Sequence, residues 1–430
     1  MDTDGNTIDK NVVSKGNTKK PRSVGEISRM KKFSKSANPY IRVGTDYFKE
    51  ICKVDRFGIT RTELKPWKKD EIRTDHGIEI FKKIPKYDDF VILPDNMNCR
   101  GAENNCYNLY REFSHRPSQG QWYWTDILIK HIFGEQYSLG LRYLQILYIS
   151  PERMSPILVL VSRERQTGKT TFINWLNMVF GSNMTIITPD DLQSNFNSSY
   201  ATSNIIAIEE TCFEKSVTIE KLKALATGKF ISVNQKYVNP YKIPFFGKII
   251  LTSNNEDKFA RIDEEEIRFF IRKVTTPQIS NHDIEADLVK EIPAFLHYLT
   301  TLPDVDFTKD RTGFTPDELV NESLQTVKAE SKSTLYKTLK MQIESLFLNE
   351  LSSSDSFLAD ALSVKAKFFQ YDGTITAPYI RQVLKNEFCL LLSDPQYFNP
   401  FGNDPGKTAR AYSFKREQFT DEPSKGKKPF

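Results

Sequence analysis

The chain has 430 residues, a net charge of +5 and 39% hydrophobic residues, and no apolar run in it is long enough to span a bilayer. This length allows two or three domains, and the mild positive charge permits a nucleic-acid partner without requiring one. Residues 1–20 contain no apolar signal segment, which argues against a secreted protein, and five scattered cysteines predict a reducing cytoplasm and no structural zinc site.

Residues 1–38 are rich in lysine, serine, asparagine and glycine, which predicts a disordered basic arm. Such an arm is either a solvated tail or a nucleic-acid contact. Residues 39–152 begin with short β-like runs, and from residue 122 the apolar residues recur with helical spacing. We expect an N-terminal domain here, mixed at first and then helical. His131 should be packed on an apolar helix face rather than act as a ligand.

An apolar strand at residues 157–162 leads into Gly168-Lys169-Thr170, and a helical apolar pattern follows. This is the layout of a phosphate-binding loop between a strand and a helix N-terminus. Lys169 would reach the β- and γ-phosphates of a nucleoside triphosphate, and the Thr170 hydroxyl would bind Mg²⁺. The predicted nucleotide-binding residues are Arg165, Gln166, Thr167, Gly168, Lys169, Thr170 and Thr171.

The loop departs from the full motif at Arg163, which occupies the position of that motif's first glycine. The tight turn then has to be made with Arg163, Glu164 and Arg165. A helix start that binds no ligand is the alternative interpretation. The strand before the loop and the helix after it favour phosphate binding.

A second apolar run, residues 205–208, ends in Glu209 and Glu210, about forty residues after Lys169. In open parallel sheets, ligands bind at the carboxyl ends of the strands. One of these carboxylates can hold Mg²⁺, and the other can orient or deprotonate an attacking water. The alternative is a strand that ends in solvated charge.

Residues 223–242 predict a helix, a glycine turn and then a hairpin with basic and aromatic residues near its tip. Such a projection suits single-stranded DNA, because the charges meet phosphates and a ring can stack on a base. An ordinary surface hairpin is the alternative. The candidate DNA-binding residues are Lys229, Lys236, Tyr237 and Lys242.

A third apolar run, residues 248–253, ends at Asn254, whose amide could bond both the γ-phosphate and the lytic water. A simple turn is the alternative there. Arg268 opens the next apolar strand, from which it could reach the nucleotide of a neighbouring subunit. Arg272 is an alternate candidate for the same role, and Arg261 is a weaker one. The other interpretation is that Arg268 forms a surface ion pair with Asp263 or Glu264.

Six segments alternate with helices, which predicts an α/β fold with a largely parallel sheet in a core at residues 153–308. These candidate strands are residues 157–162, 184–188, 204–208, 230–235, 248–253 and 267–274. Residues 309–430 would form a separate domain. In it, a helix near 334–349 and a helix start at 377–384 precede a turn-linked β pair, a pattern typical of a winged-helix-like module.

Four motifs in this order resemble those of the superfamily 3 helicases of viruses, phages and plasmids. They are Gly168-Lys169-Thr170, Ile208-Glu209-Glu210, residues 223–236 and Thr252-Ser253-Asn254. Residues 107–134 resemble the helical part of phage and plasmid primase-helicase proteins. The resemblance implies an AAA+-like P-loop NTPase core with a mainly parallel sheet, an N-terminal helical subdomain and a C-terminal winged-helix-like domain.

The resemblance also implies an ATP- and Mg²⁺-dependent DNA helicase, working as a ring, usually a hexamer, in phage, virus or plasmid replication in the host cytoplasm. Glu209 would support the metal, Glu210 would activate water, Asn254 would sense the γ-phosphate and Arg268 would act in trans. Lys236 would contact single-stranded or forked DNA in the central channel. A separate primase or polymerase is a possible partner, and we expect no primer synthesis from this chain.

Two other functions stay open. A phosphate-loop ATPase acting as a replication loader or switch would hydrolyse ATP without unwinding DNA. A non-enzymatic DNA-binding protein would use the basic arm and the winged-helix-like domain. A small-molecule kinase is less favoured, because the carboxylate pair, the late asparagine and the arginine suit hydrolysis better.

Overall fold

The fold is described from a computed structural model, and the described residues form two compact units. Of the described residues, those at 38–51 and 64–86 belong to the first unit, and the others belong to the second. The predicted basic arm lies outside the described residues apart from Asn38. The structure describes residues 38–54, 60–209, 216–234, 240–256, 259–260, 262, 266–278, 281, 283–402, 405–422 and 424.

The first unit is built on a four-stranded sheet with the order β3-β2-β1-β4. A two-residue turn at Gly44, whose φ of 57° suits glycine, joins the antiparallel pair β1 and β2. Tyr40, Ile72 and Ile84 form its small core. Its elements are β1 (Tyr40–Val43), β2 (Asp46–Val54), β3 (Thr60–Pro66), α1 (Lys69–His76) and β4 (Lys86–Tyr87), and the tips of β2 and β3 belong to the second unit.

The second unit begins with a small sheet and two helices that lead into the central sheet. In chain order its elements up to the end of that sheet are β5 (Phe90–Val91), β6 (Ala102–Glu103), β7 (Cys106–Asn108), α2 (Tyr123–Phe133), α3 (Tyr137–Ile149), β8 (Ile157–Val161), α4 (Lys169–Phe180), β9 (Met184–Ile187), α5 (Pro189–Gln193), β10 (Ile205–Ile208), α6 (Ser216–Thr227), β11 (Phe230–Val233), β12 (Tyr241–Pro244), β13 (Lys248–Ser253) and β14 (Phe269–Lys273).

The central sheet has five strands in the order β14-β8-β13-β10-β9, and every pair in it is parallel. All five residues of β8 are buried, as expected of a strand that is covered on both faces. Leu158 and Leu160 face one core cluster, with α2, α3, α4 and α7 (Ile284–Thr301), while Val159 faces the other. The mixed α/β fold and the largely parallel sheet predicted from the sequence are therefore present.

One candidate strand is not part of that sheet. Residues 230–233 form β11, which pairs with β12 as a separate antiparallel ribbon, with Phe230 opposite Pro244 and Val233 opposite Tyr241. The inclusion of residues 230–235 among the parallel strands was wrong, because the short connection to the next strand permits a hairpin and not a parallel crossover. The hairpin prediction for the same residues is confirmed.

The C-terminal residues have their own core cluster, which contains Leu339, Phe357 and Phe414. A helix was expected near residues 334–349, and α10 has those bounds. The helix start expected near residue 377 is the first residue of α12. The winged-helix assignment itself stays a prediction. The remaining elements are α8 (Pro316–Leu319), α9 (Glu322–Ser331), α10 (Thr334–Asn349), β15 (Ser356–Ala359), α11 (Ala361–Phe368), α12 (Ala377–Asn386), β16 (Gln396–Phe398), β17 (Lys407–Ala409) and β18 (Tyr412–Lys415).

Helix caps explain several of these bounds. The side chains of Ser333, Asp360 and Thr376 accept hydrogen bonds from the first-turn N–H groups of α10, α11 and α12. Over the part of the chain that the structure describes, no helix has the length and apolar character needed to cross a membrane.

The close contact of α2 with α3 depends on Gly140. The Phe133 ring lies against its α-carbon, so a β-carbon there would collide with the ring. We expect Gly140→Ala to destabilise the protein by about 1–3 kcal/mol, although alanine stabilises an open helical site by about 1 kcal/mol. The urea unfolding midpoint measures the change. Gly101→Ala should leave the midpoint unchanged, because a β-carbon there would meet no atom within 4 Å. A midpoint for Gly140→Ala at or above that of the wild type would contradict the prediction.

A second packing feature is the buried Lys248 at the amino end of β13, whose ammonium donates a hydrogen bond to the Pro151 carbonyl. Burial lowers the pKa of Lys248 to about 7, and the charge of Glu152 opposes this only in part. In an unfolded chain a lysine titrates near pH 10.4. Between pH 7 and pH 10 the unfolded chain therefore binds a proton that the native protein lacks.

The free energy of unfolding should accordingly rise with pH across that window because of Lys248, since stability increases with pH wherever the unfolded state binds more protons. We expect Lys248→Met to flatten the rise. Urea midpoints at pH 7 and pH 9.5, for wild type and variant, test this. An equal pH dependence in both proteins would show that Lys248 is charged in the native state.

Candidate functional site

The carboxyl ends of the five parallel strands meet at one edge of the central sheet, and a cleft of about 1500 Å³ opens there. All seven predicted nucleotide-binding residues, 165–171, line this cleft, together with Glu209 and Asn254. The other walls come from α2, from residues 186–189 at the end of β9 and the start of α5, and from residues 275–278 after β14. The position agrees with the general rule that ligands of open α/β sheets bind beyond the strand carboxyl ends.

The loop between β8 and α4 adopts its backbone conformation without the motif's first glycine. Arg163 does not have a positive φ, so its backbone conformation does not require glycine. The left-handed positions are Gln166, with a φ of 56°, and Gly168, with a φ of 86°. Gly168 directly precedes α4, whose first-turn N–H groups have no side-chain cap. These N–H groups are available to an anion in the cleft.

His131 is a correction to the sequence analysis, which expected a packed residue on an apolar helix face. Its side chain is half-buried and lines the cleft. Its Nε2 lies 2.9 Å from the Thr167 carbonyl oxygen, so that nitrogen carries a proton and donates it. A β-carbon at Gly168 would lie 3.5 Å from the His131 ring. The helical subdomain therefore contacts the loop directly.

Lys169 lies at the centre of the site, and its side chain is buried. The ammonium donates hydrogen bonds to Ser162 Oγ, to Thr167 Oγ1 at 3.3 Å and to Asn254 Oδ1 at 3.1 Å. Burial lowers the pKa of Lys169, and the nearby charge of Glu256 opposes that shift. A phosphate group entering the cleft would offer this ammonium charged oxygen acceptors in exchange for neutral ones.

Glu209 is half-buried at the end of β10, and Glu210 lies outside the described residues. Among the residues that are described, no three His, Cys, Asp or Glu side chains form a metal cluster. The donors in the cleft fit Mg²⁺ nonetheless. Mg²⁺ is commonly held by one or two protein oxygens, together with substrate phosphates and water. Here Thr170 and Glu209 line the same cleft as the phosphate loop.

Arg268 lies at the opposite edge of the sheet, just before β14, and its carbonyl accepts a hydrogen bond from the Ile157 N–H at the start of β8. Its guanidinium pairs with Glu266 at 3.1 Å and is 39% exposed. The ion pair considered for Arg268 thus involves Glu266. Asp263, Glu264 and Arg261, which the sequence analysis also named, lie outside the described residues.

Arg272, the other candidate for action in trans, is buried. Its Nη1 donates to Glu135 Oε1 at 2.8 Å and to Gln136 Oε1 at 2.7 Å. These bonds join β14 to the turn between α2 and α3. Arg272 therefore has a role in packing within the subunit, and its burial removes it as a candidate for contact with a neighbour.

On the β11–β12 ribbon, Lys229 and Lys242 are exposed, while Lys236 and Tyr237 lie outside the described residues. The sequence analysis missed Phe230, which is 56% exposed. The Lys242 ammonium lies 4.9 Å from the centre of its ring. The signal in the sequence that could have identified Phe230 is a large apolar residue at an outward-facing position of a short strand. The pair offers a flat ring and a positive charge on one exposed face.

Residues 160–272 match the model of a protein family described as a family of unknown function, DUF5906. No curated protein matches the sequence significantly.

Two apo structures of the NrS-1 C-terminal region are similar to this chain. The first, of residues 305–718, is 16% identical with a TM-score of 0.62 and covers 87% of this chain and 95% of its own. The second, an A-form crystal, is 16% identical with a TM-score of 0.59 and covers 86% and 94%. At this level of identity, the likeness shows a shared fold.

Proposed function

We propose that this chain is an ATP-dependent DNA helicase or translocase of the superfamily 3 type. The observation that carries the proposal is the cleft that the phosphate loop and Glu209 line, in which Asn254 contacts the buried Lys169. The parallel sheet supports it too, because this is the site at which such sheets bind ligands.

In this proposal ATP is the substrate, and a bound Mg²⁺ would supply positive charge to offset that of the triphosphate. The α4 N-terminus and the loop N–H groups bind the triphosphate, and the Lys169 ammonium leaves its present acceptors for phosphate oxygens. Thr170 and Glu209 hold the metal. Asn254, which already contacts Lys169, orients the γ-phosphate and the water, and Glu210 accepts the proton of that water.

We further propose that the protein works as a ring, with a homo-hexamer as the expected form. Arg268 would reach the nucleotide of the neighbouring subunit and stabilise charge in the transition state. The ribbon residues Lys229, Phe230, Lys236, Tyr237 and Lys242 would face single-stranded DNA in the channel. Convergence of several ribbons would concentrate positive charge there even though each chain carries a net charge of only +5.

A role in phage replication is part of the proposal, with a separate primase or polymerase as partner. The resemblance of residues 107–134 to phage and plasmid primase-helicase proteins supports this role, and the NrS-1 C-terminal region has the same fold. The mild net charge favours a second candidate function, a loader or switch that hydrolyses ATP without unwinding DNA. A strand-displacement assay on forked DNA separates the two, because a loader or switch would hydrolyse ATP and leave the fork intact.

We expect Lys169→Ala to abolish ATP turnover and to weaken ATP binding by about a hundredfold, since it removes a charged bond to phosphate worth about 1.5–3 kcal/mol. ATP binding is measured by calorimetry with Mg²⁺, and hydrolysis is measured with and without single-stranded DNA. The matched control is Lys290→Ala, which removes an exposed helix lysine paired with Asp287 and should behave as wild type. Wild-type protein that binds no ATP would refute the proposal.

The ribbon generates a separate prediction. Phe230→Ala should weaken single-stranded DNA binding by about 1–3 kcal/mol, the value of one base–aromatic stack. Fluorescence anisotropy with a labelled oligonucleotide measures the affinity. ATP hydrolysis without DNA should stay unchanged, since Phe230 does not line the cleft. Tyr371→Ala, which removes a highly exposed ring in the C-terminal segment, is the control. Equal DNA affinity for Phe230→Ala and wild type would exclude the ribbon face from the DNA contact.

A further inference from the structure

Glu256 follows Asn254 by two residues, and its side chain is only 11% exposed. Oε1 accepts a hydrogen bond of 2.9 Å from the backbone N–H of Arg163. Oε2 lies 3.0 Å from Lys273 Nζ and 3.6 Å from Arg163 Nε. One carboxylate, in the segment after β13, thus contacts both the segment after β8 and the last residue of β14, and these three strands are adjacent in the sheet.

These contacts meet at the position where the loop departs from the full motif. A glycine there would allow the backbone a wide choice of φ and ψ. Arg163 restricts that choice, and its N–H is bonded to a charged acceptor, which makes a stronger bond than a neutral one. The direction in which the chain leaves β8 is therefore set by Glu256 as well as by the sheet.

We propose that Glu256 is a positioning residue for the nucleotide, which holds the start of the phosphate loop in register with the segment that carries Asn254. The inference rests on the proposed ATP binding. Glu256 acts through the loop, whose later residues, Thr167 to Thr170, would contact phosphate. Because hydrogen bonds weaken steeply with angle and distance, a shift of the loop at Arg163 would weaken several phosphate contacts together.

The Glu256 carboxylate brings both a hydrogen-bond acceptor and a negative charge to the start of the loop. Geometry and charge can be separated experimentally, because glutamine keeps the acceptor oxygen at the same reach and aspartate keeps the charge at a shorter reach.

The test compares three variants of the full chain by calorimetric ATP binding with Mg²⁺ and by steady-state hydrolysis. Glu256→Ala and Glu256→Asp should each raise the Kd and the KM for ATP about tenfold, as loss of one hydrogen bond to a charged group implies. The kcat should fall by less than about threefold, since no group on the reacting atoms is removed. Glu256→Gln should stay within about threefold of wild type in Kd, because its Oε1 still accepts the Arg163 N–H.

Arg163→Ala is a matched variant, because it keeps the backbone N–H that Glu256 accepts and removes the side chain with its longer contact to Glu256. It should change the Kd less than Glu256→Ala does. Glu350→Ala removes a glutamate of the C-terminal segment that pairs with Lys367, and it should have no effect. Urea midpoints show whether each variant is folded. If Glu256→Ala does not fold, Glu256→Asp gives the same comparison with the carboxylate retained.

Three outcomes overturn the inference. The first is a wild-type Kd for ATP in Glu256→Asp or in Glu256→Ala. The second is a folded Glu256→Gln whose Kd for ATP is raised as much as that of Glu256→Ala. A fall in kcat with unchanged Kd would also contradict a positioning role. Failure of the proposed function looks different, because the wild type itself would then bind no ATP. If the wild type binds ATP, Lys169→Ala binds it about a hundredfold more weakly and Glu256→Asp matches the wild type, only the role of Glu256 fails.

Discussion

The parallel register of β8 against β13 is the constraint on which the cleft depends. Val161 lies opposite Ser253, so the phosphate loop and Asn254 begin at the same height on the sheet. This register allows the Lys169 ammonium to lie 3.1 Å from Asn254 Oδ1, because the loop returns Lys169 to the carboxyl ends of the strands. A slip of one residue would move the asparagine by about 3.3 Å and turn it to the other face. Full burial of both strands opposes such a slip.

Much of this arrangement could be predicted from the sequence, because its signals are local. Apolar runs such as residues 157–161 and 248–253 predict buried strands by themselves. The glycine before Lys169 predicts a helix start with free N–H groups. Once five of the strands are known to be parallel, their carboxyl ends must share an edge. The meeting of the loop, Glu209 and Asn254 then follows from topology, without any knowledge of side-chain contacts.

The rest depends on neighbours that are distant in sequence. Glu256 stands in a polar stretch without periodicity, and nothing local indicates that its acceptor faces the N–H of Arg163. Arg272 is a charged residue near the end of β14, where a side chain often reaches solvent, yet the turn at Glu135 buries it. His131 occupies a helix of apolar character, and only the fold brings its ring to the Thr167 carbonyl. Such contacts are made by packing, which a sequence pattern does not encode residue by residue.

The carboxyl ends of the strands in the central sheet form the cleft, whereas Arg268 lies at their amino ends. This separation has a consequence for the proposed assembly. Arg268 precedes Lys273, the last residue of β14, by five residues, so the two lie about 16 Å apart at about 3.3 Å per residue. An arginine side chain is much shorter than this distance, so Arg268 cannot reach the cleft at the other end of its own strand. It is nevertheless partly exposed and held by the buried Glu266, which orients the guanidinium without covering it. In the proposed ring, Arg268 would therefore act on the nucleotide of another subunit, because the amino ends of one subunit's strands would meet the next subunit's cleft.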